Sequence, residues 1–369
     1  MKRFDAVVVG AGPAGSVCAF RLASAGASVL LVDRARFPRD KPCGGGVTVR
    51  ALRQLPFAID PVVEDVVDRF ELRLHYGSAF ERKGRGALCY MTQRKRLDHF
   101  LAQCAAEAGA EFRDGVRFDF RDGEPHVDGE RVEVDAIVGA DGVNGVTARA
   151  LGCDHRHGVA LEGNLPYKRI DRERYAARLV FELGVVAGGY GWVFPKGDHV
   201  NFGVAGWESE GPRLRAHLRR LCEAHGIDAD ELTDLRGYRL PFRRAGSPMT
   251  KNKVLLVGDA AGLVDPLSGD GMYEAFVSAR LAADAILAGE TDRYAARVER
   301  ELTPLHTAGW AATRALDRFP RLTFALLRLP VAWPVLARIV RGELRDPAEA
   351  RGLGRFPLKA LDALGRAGA

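Results

Sequence analysis

The sequence lacks several features by which classes of protein are recognised. Its six cysteines are scattered without C-x-x-C spacing, a distribution that favours reduced thiols over a disulfide framework. No uncharged apolar run reaches the roughly 20 residues that a membrane span needs. No block of lysine and arginine marks a nucleic-acid-binding arm, although the net charge is +6. We therefore expect a folded protein without a nucleic-acid partner, in the cytoplasm or peripheral at the inner membrane surface.

A metal site is not predicted either. Cys153, His155 and His157 alternate as potential ligands, but no further cluster of such side chains lies near them in the sequence. Structural zinc sites take four protein ligands, so we expect none here.

What the chain does contain begins with a glycine-rich motif near its amino terminus. An apolar run at residues 5–9 predicts a buried parallel strand, and Gly10, Gly12 and Gly15 follow it. A small-residue helix and a second strand then lead to Asp33. This order is typical of dinucleotide binding, where a pyrophosphate meets a helix amino terminus and the acid binds a ribose.

The loop of residues 42–46, with the sequence Pro-Cys-Gly-Gly-Gly, lies just downstream of that unit. Its consecutive glycines carry no Cβ, so a flat ligand can lie against the backbone. Cys43 supplies the loop's proton-bearing side chain. The position and composition of the loop predict an active-site segment.

A second glycine-acid motif follows a predicted buried strand at residues 253–257. Asp259 would hold a ribityl hydroxyl, and Gly269, Asp270 and Gly271 lead into a helix that begins at about Met272. A helix amino terminus aimed at the N1/O2 edge of an isoalloxazine favours the anionic reduced flavin. The two motifs together indicate FAD rather than NAD.

The order of elements predicts the α/β class, with an α+β substrate domain. Asp-Gly turns between residues 111 and 133 predict a small antiparallel meander. We assign a Rossmann-like FAD-binding domain, an antiparallel-sheet substrate domain and a helical carboxy-terminal region. The predicted FAD-binding domain comprises residues 1–75, 90–160 and 250–290. The substrate domain comprises residues 76–89 and 161–249, and the helical region comprises residues 291–369.

The segment 319–340 is rich in leucine, phenylalanine, tryptophan and valine, with interspersed arginines and three prolines. The prolines break it, so the pattern favours an amphipathic segment on an interface or over a lipid-filled cavity. Ordinary helices that cover the core are the alternative.

These motifs make the chain resemble the geranylgeranyl reductase family, within the FAD enzymes folded like para-hydroxybenzoate hydroxylase. The glycine motif with Asp33 and the run from Gly258 to Gly271 occur across many FAD enzymes. The 42–46 loop together with Tyr190-x-Trp192-x-Phe194-Pro195-Lys196 is narrower and decides the assignment.

The resemblance implies reduction of carbon–carbon double bonds in a prenyl chain, with a hydride from reduced FAD and a proton from an acid or water. Cys43 is a candidate for that acid, tuned by Lys41 or Arg39. The predicted catalytic residues are Cys43, Gly44 and Gly45, and the predicted tunnel for the prenyl chain is lined by Tyr190, Trp192, Phe194 and Pro195. The predicted FAD contacts are Gly10, Gly12, Pro13, Ala14, Gly15, Asp33, Arg34, Gly45, Gly46, Arg94, Asp141, Gly258, Asp259, Gly269, Asp270, Gly271 and Met272.

Other functions of the same fold stay open. The first alternative is a flavin monooxygenase or halogenase acting on an aromatic or apolar small molecule, although a halogenase would carry Trp-x-Trp-x-Ile-Pro and a reactive lysine near the flavin. The second is a non-catalytic flavin or lipid carrier, which would have no need for the proton-bearing Cys43.

The electron donor also stays open. Gly145 stands where the superfamily usually has serine, and Arg149 is shifted by one place. Since that segment touches the nicotinamide in the monooxygenases, either NAD(P)H or a ferredoxin-type protein is expected as reductant. We expect a monomer whose partners are a prenyl-chain small molecule or lipid, an electron-donor protein and a peripheral membrane surface.

Overall fold

The computed structural model describes residues 2–344 and 347–367 of the chain. The strands are β1 (Arg3–Val9), β2 (Val29–Asp33), β3 (Gly46–Thr48), β4 (Val63–Val67), β5 (Arg69–Leu74), β6 (Ser78–Lys83), β7 (Cys89–Thr92), β8 (Glu111–Asp114), β9 (Phe118–Arg121), β10 (Glu124–Val127), β11 (Glu130–Arg131), β12 (Glu133–Gly139), β13 (His155–Pro166), β14 (Arg178–Leu183), β15 (Tyr190–Lys196), β16 (His199–Trp207), β17 (Thr233–Arg243), β18 (Thr250–Lys251) and β19 (Val254–Leu256). The α-helices are α1 (Pro13–Ser24), α2 (Val49–Leu52), α3 (Arg94–Glu107), α4 (Val146–Leu151), α5 (Leu214–Ala224), α6 (Met272–Leu287), α7 (Tyr294–Arg318), α8 (Pro320–Arg328), α9 (Trp333–Val340) and α10 (Arg355–Arg366).

The first layer is a mainly parallel sheet in the order β18-β19-β12-β1-β2-β8. Its apolar strands are buried, and α1 packs against both α3 and α6. Strands that follow one another through helices pair in parallel and are covered on their faces. This confirms the predicted Rossmann-like fold, with the glycine motifs at the carboxyl ends of β1 and β19.

The predicted meander between residues 111 and 133 is wrong for its first strand. Strands β9, β10 and β11 do form an antiparallel sheet. Strand β8 instead pairs in parallel with β2 at the edge of the first layer. It follows α3, and a strand that returns after a crossover helix adds to a sheet in parallel.

The second layer is a large sheet in the order β17-β13-β16-β15-β14-β5-β6, antiparallel except for the parallel pair β14 and β5. Strand β5 and residues 155–160 of β13 lie in it, beyond the boundaries that we predicted for this domain. The reason is pairing: β13 matches β16 and β17 along most of its length, and β5 matches β14 at every residue. The division into domains otherwise stays a prediction.

The chain ends in helices, as predicted. Helix α7 packs on α6, and α10 packs along α7. Within the described residues no single helix is long and apolar enough to cross a membrane, whereas α8 and α9 satisfy that test only as a pair bent by 92°.

Candidate functional site

A single cavity of about 1620 Å³ runs between the two sheets and under the carboxy-terminal helices. Pockets for small molecules are typically about 300–1,000 Å³. This cavity therefore has room for more than one ligand. Its two ends differ in chemistry, and we describe them separately as the cofactor end and the substrate end.

At the cofactor end, the turn after β1 brings backbone against the cavity. Gly10 has φ +103°, and a Cβ on it would lie 2.4 Å from the carbonyl oxygen of Ala140. Gly12 and Pro13 line the cavity where α1 begins. Free N–H groups at a helix amino terminus bind anions, so this turn suits a pyrophosphate.

Asp33 lines the same end and is held in place by the backbone. Its carboxylate accepts hydrogen bonds from the N–H groups of Ala11 and Ala35, each at 2.9 Å. Arg94 is 5% exposed and forms a bidentate pair with Asp98. Both side chains are thus oriented before any ligand binds, which reduces the entropy lost on binding.

Asp259 forms the facing wall. It accepts hydrogen bonds from Lys41 Nζ at 3.0 Å and from the Tyr238 hydroxyl at 2.7 Å. Burial alone would raise the pKa of Asp259, but Lys41 and Tyr238 outweigh it and hold the pKa below its usual value. Arg39 binds Asp98 at 2.7 Å. Both cations therefore have carboxylate partners, and the expectation that Lys41 or Arg39 tunes Cys43 stays a prediction.

Asp270 lies at the start of α6 and also lines the cavity. Its carboxylate accepts a hydrogen bond from the Met272 N–H at 2.9 Å. Burial and the neighbouring Glu274 raise the pKa of Asp270 to about 7. A carboxyl group that is still partly protonated near neutral pH can donate a proton inside a cavity.

The 42–46 loop lies where the two ends meet, and two side chains of the large sheet hold it. Glu162 of β13 accepts the Cys43 N–H at 2.9 Å, and Lys196 of β15 donates to the Cys43 carbonyl at 2.5 Å. The Cys43 thiol accepts the Gly45 N–H at 3.3 Å. Burial raises the pKa of Glu162, and this effect is larger than the lowering by the positive charge of Lys196. We call Glu162 and Lys196 the loop clamp.

The substrate end is apolar and aromatic. Tyr190, Trp192 and Phe194 alternate along β15 and share one face. Their rings are in contact, with centroids 6.1 Å apart for the first pair and 6.3 Å for the second. The Trp192 indole donates to Asn201 at 2.7 Å, which satisfies its one polar group. The face is therefore an apolar wall.

The two ends meet at Gly44. A Cβ on that residue would lie 3.0 Å from the ring of Phe194. The loop is consequently in van der Waals contact with the aromatic wall, and both line the same cavity.

The structure brings most of the predicted site residues together. Gly15, Gly258 and Pro195 do not line the cavity. Gly15 lies against the Gly10 carbonyl, since a Cβ there would be 1.8 Å from that oxygen. Gly258 packs against Ala14 in the same way, and Pro195 is buried within β15. Gly15 and Gly258 thus allow close packing behind the wall, and the predicted ligand contacts of all three residues stay predictions. The predicted residues that do line the cavity are Gly10, Gly12, Pro13, Ala14, Asp33, Arg34, Cys43, Gly44, Gly45, Gly46, Arg94, Asp141, Tyr190, Trp192, Phe194, Asp259, Gly269, Asp270, Gly271 and Met272.

Sequence reasoning missed Glu162, Tyr238 and the role of Lys196. Lys196 stands in the aromatic motif, so its position carried a signal that we did not use. Glu162 and Tyr238 lie in alternating strands with no local motif. In the described part of the chain, no group of three or more His, Cys, Asp or Glu side chains is arranged to hold a metal.

Comparison with known proteins agrees with this geometry. Residues 3–165 match the family model of an FAD binding domain. The glycine turn without room for a Cβ, the helix amino termini and the oriented Asp33 and Arg94 fit that cofactor. The protein is thus an FAD-dependent oxidoreductase.

Relatives define the family more closely. The chain is 30% identical to the chloroplastic geranylgeranyl diphosphate reductase of Oryza sativa, over 79% of this chain and 68% of that protein. It is also 30% identical to a menaquinone reductase of Mycolicibacterium smegmatis, over 96% and 95%. The chain belongs to the geranylgeranyl reductase family.

Solved structures show the same fold. A geranylgeranyl bacteriochlorophyll reductase-like protein from Thermoplasma acidophilum superimposes with a TM-score of 0.76 at 22% identity, covering 98% of this chain and 96% of that one. Flavin-dependent brominases and monooxygenases share the fold as well. Fold alone therefore does not define the reaction.

Proposed function

We propose that this protein uses FAD to reduce carbon–carbon double bonds of a geranylgeranyl or polyprenyl chain carried by an isoprenoid diphosphate, a lipid, a pigment or a quinone. The observation that carries the proposal is the contact of Gly44 with Phe194. It joins the loop that bears Cys43 to an apolar wall inside one cavity. An extended apolar substrate lying on that wall would reach the loop.

The wall suits a prenyl chain because it offers apolar surface with few competing polar groups. Helices α7 to α9 complete it with Leu316, Leu327, Leu336 and Ile339. Burying such a chain contributes about 0.8 kcal/mol for each CH₂ group removed from water. This contribution favours a long apolar chain over a small polar aromatic compound.

Saturation of an alkene needs a hydride for one carbon and a proton for the other. When bound, reduced FAD supplies the hydride. Cys43 is our first candidate for the proton donor, because it is the titratable residue of the loop. Asp270 is the second, because it lines the cavity and has a pKa of about 7. Glu162 positions Cys43 by accepting a hydrogen bond from the Cys43 backbone N–H.

The relatives support this class of substrate. Their names describe reductases of geranylgeranyl diphosphate, of digeranylgeranylglycerophospholipid and of menaquinone. All these compounds carry prenyl chains. The names leave the head group of the present substrate open.

A halogenase is less well supported by the geometry. It would need a reactive lysine near the flavin. Lys41 lines the cavity, but its ammonium is paired with Asp259 at 3.0 Å. The buried lysine beside the loop is Lys196. Its ammonium is directed at the Cys43 carbonyl, and the residue does not line the cavity.

The test is anaerobic. The purified holoprotein is reduced, geranylgeranyl diphosphate or a geranylgeranylated phospholipid is added, and flavin reoxidation is followed together with the product mass. Quinones are left out of this test, because a quinone head group takes up two hydrogens itself. We expect reoxidation with stepwise gains of two hydrogens. A product that gains oxygen or halogen only in air would overturn the proposal, as would reduced flavin that no prenyl compound reoxidises.

Cys43→Ser and Cys43→Ala separate the loop's chemistry from its shape. If Cys43 is the acid, both variants keep bound FAD but reoxidise it with prenyl substrate at least about 100-fold more slowly. Unchanged turnover with bound FAD would assign the proton to another group. Asp270→Asn would then be examined in the same way.

A further inference from the structure

Large apolar side chains are exposed together on the carboxy-terminal helices. Leu353 is 71% exposed and Phe356 55%, although both belong to the side-chain types that proteins usually bury. Leu322, Leu329 and Val331 are also among the exposed large hydrophobic residues. We call these five residues the apolar patch.

Three residues of the patch, Leu329, Val331 and Leu353, meet at the bend between α8 and α9. Gly354 packs directly on this bend, since a Cβ on it would lie 2.6 Å from the Val331 carbonyl and 2.5 Å from Val335. Leu353 therefore lies beside Val331, and Leu329 precedes the same bend. Clustered exposed apolar residues of this kind mark interaction surfaces, whereas scattered ones do not.

Exposed arginines lie in the same segments as the patch residues, and Arg355 stacks on the Phe356 ring with 5.1 Å to its centroid. Arg321, Arg328, Arg351 and Arg355 are exposed, and none has a carboxylate partner among the described residues. An apolar surface with exposed arginines near it is complementary to a bilayer that carries anionic headgroups.

Helices α8 and α9 are too short to cross a bilayer. Helix α8 has 9 residues and α9 has 8, so each is only about 12–14 Å long. The hydrocarbon core of a bilayer is about 30 Å thick. Bent by 92°, the pair suits a position in the headgroup region rather than a crossing.

The inner face of the same helices lines the cavity. Leu327 of α8, Trp333 and Leu336 of α9, and Leu358 of α10 are lining residues. One layer of helix therefore separates the patch from the apolar end of the cavity. A membrane resting on the patch would be adjacent to the substrate end.

We propose that the apolar patch docks the protein on an anionic lipid bilayer, and that the prenyl chain enters the cavity from that bilayer between these helices. The route of entry rests on the proposed function, whereas the docking does not. A second copy of this chain is the rival occupant. It would have to carry an acidic surface to match the arginines.

Vesicle sedimentation tests the docking with the full-length holoprotein. We expect the protein to sediment with vesicles of phosphatidylcholine and phosphatidylglycerol, and much less with vesicles of phosphatidylcholine alone. Replacing Leu353 and Phe356 together by aspartate should weaken binding at least about tenfold. Arg351→Gln should weaken it about fivefold, the effect of removing one cation near an anionic surface.

Leu287→Asp is the matched control, because Leu287 is 48% exposed and lies outside the patch, at the end of α6. We expect wild-type binding from it. Equal loss in this variant, or no sedimentation of the wild type with anionic vesicles, would overturn the proposal. The proposal would also be overturned if sedimentation velocity showed a wild-type dimer that dissociates into monomers in the patch variants. Unchanged melting temperatures would show that all variants fold.

A second measurement separates docking from catalysis. Saturation of a geranylgeranylated phospholipid, measured by product mass, is compared in vesicles and in detergent micelles. The patch variants should lose about tenfold in vesicles and nothing in micelles, because these residues do not line the cavity. Patch-dependent vesicle binding without turnover of any prenyl compound would refute the proposed function and leave the docking standing. Equal turnover of wild type and patch variants in vesicles would refute the route of entry.

Discussion

The two ends of the cavity are built in different ways. Backbone and fixed charges define the cofactor end, where Gly10 leaves less room than a single methyl group would need. Packed rings and helix side chains define the substrate end, where Trp192 and Phe194 fill volume. Backbone contacts have no freedom to adjust, while apolar packing tolerates changes that conserve volume. The cofactor end should therefore be much less tolerant of substitution than the substrate end.

The largest effect is expected from Gly10→Ala. Gly10 and Gly26 have similar positive φ angles, +103° and +88°, but a Cβ on Gly26 would meet no atom within 4 Å. Positive φ costs alanine about 1–2 kcal/mol at either site. Gly10→Ala adds a backbone clash of about 2 kcal/mol or more and should lose FAD. Urea denaturation measures the loss of stability, and flavin absorbance of the purified protein measures the loss of FAD. Equal losses in the two variants would show that backbone angle, not space, limits the cofactor end.

Glu162→Leu removes half of the loop clamp, the hydrogen bond that holds the 42–46 loop where the two ends of the cavity meet. It leaves the Cys43 N–H without its acceptor, which costs about 1–3 kcal/mol for a buried group. Alkylation of Cys43 by iodoacetamide, followed by mass spectrometry of its peptide, should become faster because the loop is released. Glu162→Gln keeps an acceptor oxygen and should alkylate at close to the wild-type rate. If glutamine behaves like leucine, the charge of Glu162 matters more than its hydrogen bond.

Asp270 gives the cofactor end a pH dependence near neutral pH. The raised native pKa of about 7 means that the folded state keeps a proton that the unfolded chain has already released. Stability from this group is therefore lost as pH rises from about 4 through 7. We expect Asp270→Asn to be on the order of 2 kcal/mol more stable than wild type at pH 8 in FAD-free protein, and much closer to it at pH 4. A gain of equal size at both pH values in urea denaturation would contradict this cause.

The smallest effect is expected at the contact between the ends. Gly44→Ala places a methyl group 3.0 Å from the Phe194 ring, which must move by a few tenths of an ångström. We expect a loss of about 1 kcal/mol and a higher KM for a prenyl substrate. Adding Phe194→Leu should restore part of the stability and lower the KM again, because the smaller leucine side chain leaves room for the added methyl group. Additive losses in the double variant would mean that the two residues do not share this contact.

Local sequence predicted the cofactor end because its motifs are continuous. The turn after β1, the acid at Asp33 and the start of α6 each follow from a few neighbouring residues. Glu162 could not be found in this way, because it acts on Cys43, 119 positions earlier in the chain. Nothing in an alternating strand indicates which of its side chains a distant loop will contact.

The same limit explains the errors in the fold. Strand β5 was placed in the FAD-binding domain, but its partner β14 in the large sheet begins more than 100 residues later. Local periodicity cannot choose between sheets. In β8, the Asp-Gly turn that follows resembled a hairpin, whereas its pairing was decided by the helix before it. The carboxylate partners of Arg39 and Lys41 could not be read from the sequence either, because Asp98 and Asp259 are remote from them in the chain.

The bond between Lys41 and Asp259 has a consequence for the order of events during synthesis. Its partners are 218 positions apart. A ribosome adds about 5–20 residues per second, so about 10–40 s pass between the appearance of one and of the other. Throughout that time, the loop that bears Cys43 has no anchor at Asp259. The nascent chain therefore carries the Cys43 thiol for that time without the wall that Asp259 later forms across the cavity.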